Sequence, residues 1–294
     1  MAASATALAE PAGAERLGAI FRAAREQRRA ALIGYLVGGD PNLSTSRQVI
    51  ASVGSAGLDL LELGIPYGDP LADGPTIAAA GQRALAAGTT LESCLQLVEQ
   101  LQGKPPVIFF TYFNPVYQYG LGRFARRAAR AGALGVIIPD ITLEETAEVS
   151  AALAGEGLAL TLLIAPTTAP ERARRIAAAS QGFVYLVSRV GVTGERSRPD
   201  LEPLRQRLDD LRRDSQKPLG VGFGISAPQQ VAELAAIADG VIVGSGLVRS
   251  YAGRSGMDAA QAAAAYVSSL AAALAGPGSP PGDPLSPLSR EAPR

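Results

Sequence analysis

A chain of 294 residues with 47% hydrophobic content is long enough for one large α/β barrel or two ordinary domains, with ample apolar material for a buried core. Lysine plus arginine and aspartate plus glutamate both number 27, so the formal charge is zero and there is no electrostatic case for nucleic acid or an acidic membrane as partner. A single cysteine, Cys94, excludes an internal disulfide and fits a reducing compartment, and the lack of any histidine excludes a histidine base, a Ser-His nucleophile and a histidine-ligated metal.

Residues 1–15 read as a disordered extension with no basic region ahead of an apolar core. No apolar run approaches the roughly 20 residues that a membrane span needs, so the expected location is the cytoplasm. Helical spacing from Ala14 to Ala30, with an arginine-rich outer face, suggests a helix that closes one end of a barrel. The apolar run 31–37 ends at Gly38-Gly39-Asp40-Pro41, and Ser44 to Ala56 is helical again. This strand, loop and helix then recur. Strands are expected at 58–64, 106–112, 134–139, 158–164, 183–188, 218–223 and 240–244, which with 31–37 makes eight. Helical stretches lie near 76–101, 120–132, 143–156, 169–179, 200–213, 226–237 and 257–275. Alternation at this spacing implies a parallel sheet with right-handed crossovers, and eight units over residues 16–275 imply a single-domain (β/α)8 TIM barrel. Periodicity leaves an open doubly wound sheet as the alternative. Residues 276–294 are too rich in proline and glycine to pack and read as a disordered tail.

The rules of fold-building are broken most densely at 59–76. Glu62 interrupts an apolar run typical of a strand covered on both faces, where a carboxylate is costly unless it has work or a partner. Residues 65–76 hold three prolines, two glycines and two aspartates, the composition of a rigid loop at the carboxyl end of that strand. Strand ends and the loops after them converge on one face of such a barrel. The functional groups there are Tyr35, Asp40, Glu62, Asp69, Asp73, Tyr112, Asn114, Asp140, Tyr185, Ser188 and Arg189. Glu62 and Asp73 form the strongest pair, since acid/base chemistry needs one carboxyl held near neutral pH by burial and another ionised to hold developing positive charge; a structural hydrogen bond for Glu62 and a turn role for Asp73 are the alternative.

Gly222-Phe223-Gly224-Ile225-Ser226 and Gly244-Ser245-Gly246 follow the seventh and eighth strands, where backbone N–H groups at a helix start attract phosphate. Gly222, Gly224 and Ala227 also fit a loose dinucleotide fingerprint, but that pattern expects an acid at the end of the next strand, whereas Asp239 precedes it. The segment 189–196 carries two glycines that could hinge a lid, or is a solvated surface loop. Lys104 and Lys217, the only lysines, precede prolines at the amino ends of strands, away from this face, which argues against Schiff-base chemistry. Oxygen-only metal sites find no support. Carboxylates and tyrosines remain as proton carriers.

LELGIPYGDPLADGPTI (61–77), GGDP (38–41), FNPVYQYG (113–120), YLVSRVGVTG (185–194), GFGIS (222–226) and VGSG (243–246) together resemble the tryptophan synthase alpha-subunit family, in family order and across residues 16–275. The resemblance implies retro-aldol cleavage of indole-3-glycerol phosphate to indole and glyceraldehyde 3-phosphate. It implies Glu62 as the acid/base and Asp73 as the carboxylate on the indole N–H. Tyr35, Tyr112, Tyr185, Thr193 and Phe223 would meet the substrate, with Thr193 ordering against Asp73 on closure. Gly194, Gly224, Gly244 and Ser245 would cradle the phosphate. Pro66, Asp69 and Asn114 would face a beta subunit in an αββα heterotetramer. No cofactor is implied in this chain; pyridoxal phosphate belongs to that partner. A stand-alone lyase that releases free indole and a non-catalytic activator subunit are the alternatives. The chain departs from the family's commoner residues at Gly38, Gly68 and Thr142, and Gly68 is expected to loosen the loop that carries Asp73.

Overall fold

The computed structural model describes residues 10–188, 201–222 and 224–275. In chain order its elements are α1 (Ala12–Glu26), β1 (Ala31–Val37), α2 (Leu43–Ser55), β2 (Leu60–Gly64), α3 (Pro75–Ala86), α4 (Leu91–Gln100), β3 (Val107–Phe110), α5 (Phe113–Tyr119) and α6 (Leu121–Ala131). They continue with β4 (Gly135–Ile137), a 3-10 turn at Leu143–Glu145, α7 (Thr146–Ala154), β5 (Ala159–Thr161), β6 (Leu163–Ile164), α8 (Pro170–Ala179) and β7 (Val184–Val187). Last come α9 (Glu202–Asp214), β8 (Leu219–Gly222), α10 (Pro228–Ala235), β9 (Gly240–Val243), α11 (Ser245–Tyr251) and α12 (Gly256–Leu274).

All strand pairings are parallel, and the sheet runs β5-β4-β3-β2-β1-β9-β8-β7-β6. Its two ends, β5 and β6, are separated in the chain by Leu162 alone. They are the halves of one interrupted strand, the first paired with β4 and the second with β7, so the sheet returns on itself as a barrel. An open doubly wound sheet is thereby excluded. Among the described residues no helix is long and apolar enough to cross a membrane.

Apolar residues sort into two bodies. Leu61, Leu63, Phe109, Val136, Val221 and Val241 point outward into a shell shared with the helices. Ile33, Tyr35, Leu60, Ile108, Ile137, Phe183, Tyr185 and Ile242 fill the interior together with Leu17 and Phe21 of α1. This alternation places Glu62, flanked by outward Leu61 and Leu63, inside the barrel. The rings of Phe21 and Phe183 lie 5.2 Å apart, so α1 plugs the amino end as expected of the closing helix. A Cβ on Gly240 would come 2.6 Å from the Phe21 ring, which fixes how closely that plug sits.

Three expectations need correction. Residues 12–15, read as part of the disordered extension, are the first turn of α1. The helical stretch 76–101 is two helices, α3 and α4: Gly88 adopts φ +81° and Thr90 caps α4 through its hydroxyl at 3.1 Å from the Ser93 N–H. Tyr112 is the residue before α5 rather than a strand residue, and α5 and α11 are short helices that periodicity did not reveal. The tail 276–294 lies outside the described residues.

Candidate active site

Glu62 lies on β2 in register with Tyr35 of β1 and Ile108 of β3. It is fully buried, and neither carboxyl oxygen has a hydrogen-bond partner among the described residues. Burial alone pushes its pKa from 4.5 to about 8, because nothing there compensates the charge that water would otherwise solvate. At neutral pH Glu62 is therefore a carboxylic acid with a proton to give.

Asp73 sits on the loop after β2, half-buried, and its Oδ1 accepts from the Tyr112 hydroxyl at 3.1 Å. The same hydroxyl accepts from the Ala72 N–H at 3.0 Å, so Tyr112 holds this stretch of the loop at two consecutive residues. Burial raises the Asp73 pKa, and the bond from Tyr112 works against that rise. Environment thus separates the two carboxyls, with Glu62 the stronger holder of a proton.

Tyr35 connects them. It is buried, and its pKa is driven well above the ordinary 10, first by burial and then by repulsion from Asp73, Tyr112 and Glu62 once these have ionised, so both carboxyls act on this one ring. Tyr185 of β7 is also raised by burial and then by Glu62, and both tyrosines stay protonated. Their hydroxyls reach this depth because neighbouring strand ends are glycine. A Cβ on Gly64 would lie 2.2 Å from the Tyr35 hydroxyl oxygen, and one on Gly222 would lie 2.6 Å from that of Tyr185. Phe110 meets Tyr35 edge-on at 5.6 Å and completes the wall.

Gly224 follows β8 with φ +74°, a left-handed turn that glycine adopts without strain. Gly244 and Ser245 join β9 to α11, and a Cβ on Gly244 would be 3.4 Å from the Tyr35 Cβ. The two glycine turns end adjacent strands, paired Gly222 with Ile242, so the candidate cradle borders the same tyrosine as the carboxyls. Phe223, Thr193, Gly194 and the loop from Arg189 lie outside the described residues.

Pro66, Asp69 and Asn114 are brought to one surface. Asn114 of α5 donates its Nδ2 to the Tyr67 hydroxyl at 3.1 Å, and the Tyr67 ring lies 5.4 Å from that of Tyr112. Exposed Leu71 (83%) and Tyr117 (66%) stand on the same two segments, an apolar presentation that suits a protein partner. Tyr67 was not singled out from sequence; its place between Pro66 and Asp69 was the available signal.

Two strand-end acids prove to be structural. Asp40 is buried and takes both a bidentate pair from Arg83 at 2.8 and 2.9 Å and the Tyr251 hydroxyl at 3.1 Å. Asp140 accepts from the Phe113 N–H at 2.9 Å and so starts α5. The departures from the family's commoner residues also find local reasons. A Cβ on Gly38 would be 2.8 Å from the Cys94 sulfur. Thr142 donates its N–H to Glu145 at 3.1 Å, a bond that proline would forfeit. Gly68 faces open space, so its effect is backbone freedom alone. At the opposite end Lys217 Nζ donates to the Ala178 carbonyl at 2.7 Å, away from the carboxyls. Among the described residues no cluster of acids and cysteine could hold a metal ion.

The family model described as "Tryptophan synthase alpha chain" matches residues 21–275. The tryptophan synthase alpha chain of Prochlorococcus marinus (strain MIT 9313) is 48% identical over 235 residues, 79% of this chain and 85% of that relative. That of Picosynechococcus sp. (strain ATCC 27264 / PCC 7002 / PR-6) is 45% identical over 258 residues, 87% of this chain and 97% of the relative. Among solved structures, Mycobacterium tuberculosis tryptophan synthase in space group F222 superposes with a TM-score of 0.80 at 39% identity, covering 88% of this chain and 98% of that one.

Proposed function

The chain belongs to the tryptophan synthase alpha chain family, whose half-reaction is the lyase cleavage of indole-3-glycerol phosphate, and from that membership we infer that Glu62 and Asp73 divide the chemistry of this cleavage between them. The observation that carries the division is Glu62 itself, a fully buried carboxyl with no hydrogen-bond partner among the described residues and a pKa raised to about 8. Its acid form protonates the indole carbon that bears the glycerol phosphate chain, which makes the ring an iminium-like cation. Asp73, on a loop braced by Tyr112, accepts the indole N–H and stabilises that cation. The carboxylate left on Glu62 then takes the proton of the adjacent side-chain hydroxyl. The carbon–carbon bond breaks, its electron pair discharges the ring, and indole and glyceraldehyde 3-phosphate result with Glu62 reprotonated.

Tyr35 and Tyr185 wall the ring site, and Tyr112, Phe223 and Thr193 border it in the same reading. Gly194, Gly224, Gly244 and Ser245 hold the phosphate. The 189–196 segment closes over the substrate, with Thr193 meeting Asp73. Pro66, Asp69 and Asn114 receive a beta subunit in an αββα heterotetramer, and pyridoxal phosphate chemistry belongs to that partner. The cytoplasm is the natural place for such an enzyme.

The decisive test is indole release from indole-3-glycerol phosphate by the purified chain, with and without a tryptophan synthase beta subunit. Slow release strongly accelerated by the partner is expected, and it should vanish in Glu62→Gln while substrate binding persists. Fast release unaffected by the partner would instead identify a stand-alone lyase. No release under either condition, with intact activation of the beta reaction, would identify a non-catalytic activator.

A further inference from the structure

Tyr266 lies in the middle of α12, in a run of alanines, and its hydroxyl leaves that helix to bond elsewhere. It donates to the Ser226 carbonyl at 2.8 Å. Ser226 lies between Gly224 and α10, in the turn that follows β8. The same hydroxyl oxygen stands where α11 begins, for a Cβ on Gly246 would come within 2.2 Å of it, and that Cβ would also be 3.1 Å from the Ser226 Cα. The two glycine turns and α12 thus converge on one oxygen atom. On its other side the β8 turn is fixed by Gln230 of α10, whose Oε1 accepts from the Ser226 N–H at 2.9 Å and the Ala227 N–H at 3.1 Å. Ser226 is therefore held at its N–H by one helix and at its carbonyl by another.

We propose that Tyr266 is a positioning residue for the phosphate end of the substrate: its hydroxyl pins the turn after β8 against the turn after β9 and sets the spacing of the backbone groups that grip the anion. This rests on the phosphate reading of those turns given above. Anion recognition by backbone N–H groups depends on geometry held to a fraction of an ångström, whereas the ring site of Glu62, Asp73 and Tyr35 is braced by other contacts. Tyr266 is half-buried, so Tyr266→Phe removes the hydroxyl and leaves the ring's packing in place.

The measurement is steady-state cleavage with its inhibition by glycerol 3-phosphate and by a phosphate-free indole analogue, on the full-length wild type and Tyr266→Phe, each in complex with a beta subunit. The expected result is a rise of roughly three- to tenfold in KM and in the glycerol 3-phosphate inhibition constant, the range one neutral hydrogen bond spans. kcat and the indole-analogue constant should stay within twofold. Gly246→Ala, which crowds the same oxygen from the other side, should shift the same two constants. Unchanged glycerol 3-phosphate inhibition in Tyr266→Phe, or equal weakening of both inhibitors, would overturn the assignment while leaving the enzyme reading intact. A wild-type chain that glycerol 3-phosphate does not inhibit would defeat the phosphate reading and this inference with it.

Discussion

Replacing Glu62 by glutamine should stop cleavage and, as the pH rises, stabilise the protein. In the folded chain Glu62 holds its proton up to about pH 8, against 4.5 when solvated. Between those values the native state binds more protons than the unfolded state, so the acid's contribution to stability is complete below pH 4.5 and is lost progressively up to about pH 8. At about 1.4 kcal/mol per pH unit that interval amounts to about 5 kcal/mol, of which roughly 3 kcal/mol is gone at pH 7. Glutamine carries an unpartnered amide at a similar cost but does not titrate. Subtracting its unfolding free energy from that of the wild type cancels the other groups and leaves the Glu62 term. Urea unfolding of both chains at pH 5, 6, 7 and 8 should therefore show a difference that drifts steadily in favour of Glu62→Gln. Parallel pH dependences would mean that Glu62 ionises near its ordinary pKa, and the acid role built on its retained proton would fall.

The same proton sets the pH profile: kcat/KM should decline above about pH 8 as free Glu62 ionises, and a flat profile to pH 9.5 would refute the acid assignment. Tyr112→Phe removes the bonds to Asp73 and to the Ala72 N–H, so kcat/KM should drop about tenfold with little change in melting temperature, the scale of one hydrogen bond; a loss under twofold would show that Asp73 does not rely on Tyr112. Gly222→Ala should displace Tyr185 and lower kcat/KM, with partial recovery in the Gly222→Ala/Tyr185→Phe double variant; an undisturbed single variant would contradict the 2.6 Å crowding. Asp40→Asn should cost about 2 kcal/mol in urea unfolding, less than a fully buried pair because Arg83 is 41% exposed and water can reclaim it. Stability within 0.5 kcal/mol of wild type, a threshold near the ordinary scatter of surface substitutions (~0.5 kcal/mol), would remove the Asp40 network as a brace.

Much of this barrel is legible in the sequence alone. Apolar runs bounded by glycine and proline located the strands, since parallel strands buried on both faces need apolar residues throughout. That same rule made Glu62 conspicuous. Closure was not readable, because periodicity says nothing about which strands pair, and here it depends on one strand interrupted at Leu162. The helix α5 was hidden by its brevity and by Pro115 in its first turn, and α11 by the glycines at its start. Asp40 and Asp140 looked like chemistry for a related reason. Strand ends gather polar groups for structural and functional ends alike, and only the partners, Arg83 and Tyr251 for one and the α5 backbone for the other, tell them apart. Tyr266 carried no local signal, since its meaning lies in a contact with a turn forty positions earlier.

The tyrosine hydroxyls that press against glycine at the ends of β2 and β8 also limit how the site can change over generations. Tyr35 and Gly64 occupy one volume between them, as do Tyr185 and Gly222. Any larger residue at either glycine requires the tyrosine opposite to shrink in the same step, so the two positions of each pair form a single unit of inheritance. A library that randomises position 35 alone, or position 64 alone, samples only the fringes of what this wall can become. Randomising both together opens solutions that neither single walk can reach, and in those the ring pocket would take a new outline while Glu62 stays where it is.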